Sequence, residues 1–498
     1  MLGGRRLLDR RIGRTAGRLL ERLAGDAGPG PRLPDSRLGR AAAVVLVLAV
    51  AAALAVGTTL AGPAMLASLN AAANPLRTVP APEPELPRPA LRAVSTDAPS
   101  PTRAGLAAAL DRLAAAPALG QLAGVVLDPA APTPLWAREA SRRLVPGSTA
   151  KLVTAAAALL AMDHTARLQT TVVAGAEPGT VVLVGGGDPT LSTLPAGRES
   201  VYPGAPRLDD LAAQVRAAVP GGVSRVLVDV RRYAGDALGP GWLPADVPAG
   251  FVAPIVPVML DGGRAVPADP ESARTGTPAL AAAAELARRL GAPPGTVAVG
   301  TAPPRAEVLG TVASQPVREL VAQTLHSSDN VLAEVLAREV AIATGEQPSF
   351  AGAARAVRGV LAANGIDVAE LRLVDGSGLS AQNQASARGL AGVLAAVVAP
   401  QSLDPRTARL RPLLDGLPVA GGTGTLAARY GEDAARGGRG YVRAKTGTLT
   451  DVNALAGVVL DADGRLLVFA LLSNGSVSSA ARPALDAVAA ALRACGCR

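Results

Sequence analysis

Residues 145–151 read VPGSTAK and run directly into the apolar segment 152–160, LVTAAAALL. Ser148 and Lys151 are three positions apart, and at the start of a helix this spacing places both side chains on one face. A serine hydroxyl is a weak nucleophile that needs an adjacent base. A lysine becomes that base when burial or a nearby cation lowers its pKa toward neutrality. The stretch therefore predicts a Ser–Lys catalytic pair.

Lysine is used very sparingly in this chain. Among 49 Lys and Arg residues only Lys151 and Lys445 are lysines, and arginine does not give up its proton at physiological pH. Taken alone, Ser-x-x-Lys also fits a helix start with an exposed cation and recurs by chance. The restriction of lysine to two positions, each within a motif, favours a chemical role.

Length and composition bound the class of protein. With 498 residues the chain is long enough for two or three domains. Only 2% of residues are aromatic, so the cores must be built from Ala, Val and Leu. Of the formal net charge of +9, residues 1–40 supply +6, from ten arginines against four acidic residues. The excess of positive charge therefore lies mainly in the N-terminal tail. Residues 41–498 lack a basic patch interleaved with aromatic residues, which excludes nucleic-acid binding.

Histidine and cysteine are almost absent. The two histidines, His164 and His326, are too few for a metal site, and no cofactor is expected. The two cysteines, Cys495 and Cys497, are so close together that a bridge between them would be strained. We therefore predict no disulfide framework.

The first 102 residues of the sequence predict a membrane-anchored protein. Residues 41–62 form an uncharged apolar segment long enough to span a bilayer, and the arginine-rich residues 1–40 place its N-terminal side in the cytoplasm. Residues 63–102 are rich in proline and indicate an extended linker. The alternative is a signal peptide cleaved near residues 71–73, which would give a secreted protein.

Two further motifs follow in the sequence. Residues 327–330, SSDN, precede a predicted helix over 331–342, where they would also serve as an ordinary N-cap. Residues 445–448, KTGT, lie at the end of a predicted strand over 441–444. They offer an ammonium, hydroxyls and a backbone without side-chain bulk, against which a substrate can lie as an added strand. The alternative is an edge strand that carries a charge.

The order Ser-x-x-Lys, Ser-Asp-Asn, Lys-Thr-Gly resembles the motif set of serine β-lactamases and penicillin-binding proteins. Ser328 follows Ser148 by 180 positions, and Lys445 follows Ser328 by 117 positions. The large first interval resembles the class C low-molecular-mass penicillin-binding proteins, the D-alanyl-D-alanine carboxypeptidase/endopeptidase family. Supporting segments in residues 103–494 are GDPTL, DGSGLS and LPVAG, which begin at residues 187, 375 and 417.

The resemblance implies an α/β (α+β) fold of the β-lactamase/transpeptidase type, in which an antiparallel sheet is flanked by helices and interrupted by an inserted domain. Residues 103–169 and 305–494 would form the catalytic domain, and residues 170–304 the insertion. The anchor and the linker would precede them and hold the catalytic domain outside the cytoplasmic membrane.

The resemblance also implies roles for the first two motifs. Ser148 would attack the carbonyl of the penultimate D-alanine of a peptidoglycan stem peptide, and Lys151 would take its proton. Ser328 would relay a proton to the leaving amine, and Asn330 would hold Lys151 and the substrate amide. β-Lactams would acylate the same serine and act as covalent inhibitors.

The third motif is expected to bind the substrate. Lys445, with Thr446 and Thr448, would attract the terminal carboxylate, and Gly447 would leave the backbone accessible. By the same resemblance, the backbone N–H groups of Ser148 and Thr448 would form the oxyanion hole.

Two alternatives stay open at this stage. A serine β-lactamase shares the three motifs but must deacylate penicillin quickly, and the long insertion argues against it. A catalytically weak peptidoglycan-binding sensor would use the pocket only for docking, which the intact motifs argue against. The sequence does not decide between carboxypeptidase and endopeptidase activity.

Overall fold

The computed structural model describes residues 98–131 and 133–497. Their strands form two five-stranded sheets. In chain order the strands are β1 (Gln121–Leu127), β2 (Trp136–Arg138), β3 (Arg167–Ala174), β4 (Thr180–Val184), β5 (Arg225–Asp229), β6 (Val297–Val299), β7 (Val308–Pro316), β8 (Val442–Leu449), β9 (Val452–Leu460) and β10 (Leu466–Asn474).

Helices account for most of the remaining regular structure. In chain order the α-helices are α1 (Arg103–Ala114), α2 (Lys151–Ala161), α3 (Leu208–Ala218), α4 (Pro278–Leu290), α5 (Val317–His326), α6 (Asn330–Ala343), α7 (Phe350–Ala363), α8 (Ala387–Val398), α9 (Thr407–Leu410), α10 (Asp433–Arg436) and α11 (Ser478–Ala494).

The first sheet has the strand order β2-β1-β10-β9-β8 and is antiparallel throughout. Its central strands β9 and β10 are buried along nearly their whole length, which requires cover on both faces. Apolar residues of α1 and α11 pack on one face together with Phe469, and those of α2 and α8 pack on the other together with Val468. This arrangement confirms the predicted antiparallel sheet flanked by helices.

The second sheet has the order β6-β5-β4-β3-β7 and is mixed. Strands β4, β5 and β6 run parallel, whereas β3 pairs antiparallel with β4 and β7. Helices α3 and α4 cover it through residues such as Leu211 and Leu286. The sheet begins at Arg167 and ends at Pro316, so it extends past the predicted insertion boundaries of 170 and 304. The sequence did not predict β7, because its segment VLGTVASQP lacks a continuous apolar run.

The predicted N-terminal segments fall mainly outside the described residues. This applies to the tail 1–40, the anchor 41–62 and the linker up to residue 97. Within the part of the chain that the structure describes, none of the helices combines the length and apolarity needed to cross a bilayer.

The two cysteines differ from expectation. Cys495 and Cys497 are paired as a disulfide at the end of α11. Their Cα atoms are 4.9 Å apart, which is within the range that a disulfide bridges, and Gly496 between them adds no side chain to the tight turn.

Candidate active site

Ser148 lies in a short 3₁₀ turn, Gly147–Ala150, and α2 begins at Lys151. The helix therefore starts three residues after the serine instead of including it. Gly147 has a φ of 52°, a conformation that glycine adopts without steric cost. Ser148 is half-buried, and its Oγ lies 2.9 Å from Lys151 Nζ. The turn thus brings the two predicted residues into hydrogen-bond contact.

The Lys151 side chain is fully buried and has three acceptors. Its Nζ donates to Ser148 Oγ, to Asn330 Oδ1 at 2.6 Å and to the Ser377 carbonyl at 2.7 Å. Burial lowers the pKa of Lys151 to about 8, although the carboxylates of Asp375, Glu334 and Asp329 oppose that shift. A neutral amine keeps two N–H donors and has one lone pair, which can accept the proton of Ser148.

The second motif forms the turn into α6. Asp329 is the N-cap, and its Oδ1 accepts the Leu332 N–H at 2.9 Å. Asn330 is the first helical residue and donates its Nδ2 hydrogen to the Phe251 carbonyl at 2.9 Å. Ser328 has a φ of 59°, a strained conformation for a residue with a Cβ that persists only where the surroundings enforce it. Strain of this kind marks Ser328 as a candidate functional residue.

The carboxylate of Asp329 is held by side chains of the inserted segment. Its Oδ2 accepts from Tyr202 Oη at 2.9 Å and from Arg264 Nη2 at 3.0 Å, and Arg274 Nη2 lies 3.7 Å away. Burial opposes ionisation, but Arg274 and Arg264 hold the pKa of Asp329 well below its usual range. We call this group of four residues the Asp329 clamp. The sequence did not reveal it, because Tyr202, Arg264 and Arg274 belong to no short motif.

The third motif lies inside β8, whereas the sequence placed it after the end of a strand. Lys445 is fully buried, and its Nζ donates to Ser328 Oγ and to the Thr446 carbonyl, each at 2.8 Å. Burial lowers the pKa of Lys445 well below its usual range, and the charges of Lys151 and Arg429 add to this effect. Each lysine therefore contacts one serine hydroxyl of the site.

The backbone of β8 packs directly against the turn that carries Ser148. A Cβ on Gly447 would lie 2.5 Å from the Pro146 carbonyl oxygen, and one on Gly147 would lie 3.1 Å from the Thr448 nitrogen. The approach therefore depends on glycine in the strand. It places the Thr448 backbone beside the serine turn, as an oxyanion hole shared between these two segments requires.

The buried Glu334 of α6 and the loop at residues 375–377 support Lys151, and the sequence gave Glu334 no role. Both carboxylate oxygens of Glu334 lie within 3.0 Å of the Gly376 nitrogen, and Oε1 also accepts the Ser377 N–H at 2.7 Å. Burial and the neighbouring Asp375 raise the pKa of Glu334 to about 8. The carbonyl of Ser377 in turn faces Lys151. An acidic residue within the apolar segment NVLAEVLAREVAIA was the available signal.

The structure brings the predicted residues together in two hydrogen-bonded groups, Ser148–Lys151–Asn330 and Ser328–Lys445. The two groups are close enough for the charges of the two lysines to interact. Within the described residues, no three His, Cys, Asp or Glu side chains are arranged to hold a metal ion. A serine hydroxyl, a buried lysine of lowered pKa and a facing pair of backbone segments define the class of serine hydrolases that work through an acyl-enzyme.

The chain belongs to the D-Ala-D-Ala carboxypeptidase 3 (S13) family, whose model matches residues 106–270 and 266–494. Carboxypeptidase DacB of Mycolicibacterium smegmatis is 47% identical over 421 residues, which cover 84% of this chain and 90% of the relative. The D-alanyl-D-alanine carboxypeptidase of an Actinomadura species is 30% identical, with 77% and 83% covered. These matches confirm the predicted family and the enzyme class, a serine D-Ala-D-Ala carboxypeptidase.

The fold is similar to that of a solved protein. The crystal structure of penicillin binding protein 4 (dacB) from Haemophilus influenzae matches with a TM-score of 0.63 at 22% identity, over 77% of this chain and 97% of that one. A second structure of the Haemophilus protein, with a TM-score of 0.52, is a complex with a β-lactam. The likeness confirms the predicted fold class.

Proposed function

We propose that this chain hydrolyses the D-Ala-D-Ala bond of peptidoglycan stem peptides through an acyl-enzyme on Ser148. The observation that carries the proposal is the position of Lys151, whose Nζ lies 2.9 Å from Ser148 Oγ in a fully buried environment. With its pKa lowered to about 8, a useful fraction of this lysine is neutral near pH 7 and serves as a general base.

Acylation starts with attack of Ser148 Oγ on the carbonyl carbon of the penultimate D-alanine while Lys151 takes the hydroxyl proton. The developing oxyanion is stabilised by the backbone N–H groups of Ser148 and Thr448, on the order of 3 kcal/mol each. Asn330 keeps Lys151 in place through its Oδ1, 2.6 Å from Nζ. The C–N bond breaks as the tetrahedral intermediate collapses.

The proton that Lys151 accepts has to reach the leaving amine. We assign the relay between Lys151 and the amine to Ser328. Its Oγ accepts from Lys445 Nζ at 2.8 Å, which leaves its own hydroxyl hydrogen free to donate to the leaving amine. Water then attacks the ester on Ser148 with Lys151 again as the base. The step releases the shortened peptide and restores the free serine.

Substrate binding uses the edge of the first sheet. β8 is the last strand in the sheet order, and past its bridge at Arg443 no described strand pairs with its outer side. An extended stem peptide can add to such an edge through main-chain hydrogen bonds. Lys445, Thr446 and Thr448 then attract the carboxylate next to the leaving nitrogen. Both a terminal D-alanine and a cross-linked D-centre present that carboxylate, so the same site serves carboxypeptidase and endopeptidase cleavage.

The test is labelling with a fluorescent penicillin, with the lifetime of the label and D-alanine release from a stem pentapeptide measured in parallel. We expect a long-lived label and D-alanine release from the wild type, and neither from Ser148→Ala, in which only the hydroxyl is lost. Persistent labelling of Ser148→Ala contradicts the assignment of the nucleophile. Rapid loss of the label indicates a β-lactamase, and a wild type that neither labels nor releases D-alanine indicates a binding protein.

We also propose where the reaction takes place. The uncharged segment 41–62 and the arginine-rich residues 1–40 support a single membrane span with a cytoplasmic N-terminus. The catalytic part then lies outside the cytoplasmic membrane, where peptidoglycan is found. Secretion after cleavage near residues 71–73 places it on the same side of the membrane.

A further inference from the structure

An arginine of the C-terminal helix contacts the end of the third motif. Arg482, in the first part of α11, donates from Nη2 to Thr448 Oγ1 at 3.2 Å. The contact spans 34 positions of sequence, and no motif pointed to it. Arg482 is exposed, so its guanidinium reaches both Thr448 and solvent.

The obvious ion-pair partner of Arg482 is occupied. Asp486 follows four positions later on α11, a spacing at which opposite charges usually pair on a helix. Its two carboxylate oxygens instead accept from Arg429, Nε at 3.0 Å and Nη2 at 2.7 Å. Within the described residues, no carboxylate lies within ion-pair distance of Arg482. Burial and the charge of Arg429 lower the pKa of Arg482, as expected for a guanidinium placed beside another cation.

The direction of the contact determines how Thr448 can act. Because Thr448 Oγ1 accepts the N–H of Arg482, its own hydroxyl hydrogen is left to donate to another group. Thr446 and Thr448 alternate with Gly447 and therefore lie on the same face of β8. Thr446 Oγ1 is already 2.8 Å from Thr425 Oγ1. The hydroxyl of Thr448 and the guanidinium of Arg482 thus form a pair of donors at the end of the motif.

Lys445 does not by itself supply a donor for an anion beside Thr448. Its Nζ is fully buried and is committed to Ser328 Oγ and to the Thr446 carbonyl. A guanidinium has free N–H donors in a planar fork that matches the two oxygens of a carboxylate. Arg482 can therefore meet an anion at the open side of Thr448 while Lys445 keeps its internal partners.

We propose that Arg482 is a specificity-determining residue that, together with Thr448, binds the carboxylate on the carbon next to the leaving nitrogen. This inference rests on the proposed function of the site. Arg482 takes no part in proton transfer, so its contribution depends on the negative charge of the substrate. It selects ligands with that carboxylate over otherwise identical ligands in which the charge is removed.

The experiment compares two acylating probes that differ only in this charge, benzylpenicillin and its methyl ester. Acylation rate constants are measured for the full-length wild type, Arg482→Ala and Arg482→Lys. The matched control is Arg358→Ala, which removes an exposed arginine of α7. For Arg482→Ala we expect acylation by the acid to slow about tenfold, the loss of one charge-assisted contact that is partly open to solvent. The ester should change by less than about twofold.

The remaining measurements distinguish binding of the carboxylate by Arg482 from a purely structural role of this residue. Arg482→Lys should keep an intermediate preference for the acid, and added salt should reduce that preference in the wild type more than in Arg482→Ala. With a stem pentapeptide, Arg482→Ala should raise KM and leave kcat within about twofold. Arg358→Ala should behave as wild type with both probes.

Two results would overturn the inference and leave the proposed function intact. One is a wild type that acylates normally while Arg482→Ala retains its preference for the acid. The other is an equal loss of reactivity toward acid and ester in Arg482→Ala, which would indicate a structural role for the arginine. A wild type that reacts with neither probe and releases no D-alanine would instead overturn the proposed function itself, and this inference with it.

Discussion

Lys151 and Lys445 occupy similar places but differ in their charged neighbours. Both side chains are fully buried, and each Nζ donates to one serine hydroxyl, Ser148 or Ser328. Burial lowers the pKa of both lysines; nearby carboxylates oppose this shift at Lys151, whereas neighbouring cations add to it at Lys445. The two lysines therefore form a matched pair for separating proton transfer from electrostatic binding.

The first prediction compares Lys151→Arg with Lys445→Arg. Arginine keeps the charge but cannot give up its proton, and its guanidinium is larger. Lys151→Arg should lower the acylation rate by several orders of magnitude, as expected for loss of the general base. Lys445→Arg should retain acylation within about 100-fold of wild type, since the charge remains and only the geometry changes. The measurement is acylation by one β-lactam at one pH.

The comparison contains its own control, because both substitutions place a larger group in a fully buried position. A general effect of crowding would slow both variants equally. Equal rates for Lys151→Arg and Lys445→Arg would mean that Lys151 is not the base, and the proposed division of roles would have to be abandoned.

A second prediction at the residue scale concerns pH. The pKa of Lys151 is lowered from 10.5 to about 8, and only the neutral amine accepts the proton of Ser148. Acylation should therefore rise about tenfold per pH unit below about pH 7 and level off above about pH 8. The pH dependence of the acylation rate constant is the measurement. A flat profile between about pH 6 and pH 8 would contradict a lysine base.

At the scale of elements, the inserted segment holds the start of α6. Tyr202, Arg264 and Arg274 bind the carboxylate of Asp329. Asp329 lies between Ser328 and Asn330, two residues of the proposed site. Phe251, also in the insertion, accepts from Asn330. The strained Ser328 and the cap of α6 thus depend on residues far away in sequence, and the segment predicted as the insertion contributes to the proposed site.

The prediction at this scale is that Arg264→Met destabilises the protein. Arg264 and Asp329 are 5% and 1% exposed, so removal of the arginine leaves a buried carboxylate poorly paired, at a cost of about 3–5 kcal/mol. The free energy of unfolding in urea is the measurement. Arg288→Met is the control, because it breaks the exposed pair with Glu285 and should cost less than about 1 kcal/mol.

A double variant distinguishes the ion pair from simple loss of packing. Asp329→Asn retains the Oδ1 acceptor that caps α6 and removes the negative charge, so Arg264→Met combined with Asp329→Asn should recover part of the lost stability. The ion-pair prediction would be wrong if the loss of unfolding free energy in the double variant equalled the sum of the losses in the two single variants.

The residues that the sequence identified are those with strict local spacing. Ser148 and Lys151 are neighbours through one turn, and the SSDN and KTGT motifs have a recognisable order. Glu334 and the Asp329 clamp were missed because their partners meet only after distant segments fold together. Strand β7 was missed because its segment lacks a continuous apolar run and becomes a strand through pairing with β3, a tertiary effect that local propensity does not report.

At the scale of the whole molecule, the three motifs of the proposed active site come from different structural elements of the described region. Ser148 precedes α2, Ser328 precedes α6, and Lys445 lies in the edge strand β8. The site can assemble only when the first sheet, its covering helices and the insertion are all in place. Its activity therefore reports the folding of the whole described region.

The last prediction concerns the attachment of this region to the membrane. An uncharged apolar segment of about 20 residues spans the hydrocarbon core of a bilayer, so the full-length chain should sediment with membranes and resist extraction by high salt. The matched control is a chain that lacks only residues 41–62. It keeps the arginines of residues 1–40, whose attraction to anionic lipids is screened by salt, so any remaining membrane association should be lost in high salt. Both forms should still label with fluorescent penicillin. Release of the full-length chain by salt, or a mature N-terminus near Asn74, would show that residues 41–62 are not a retained anchor.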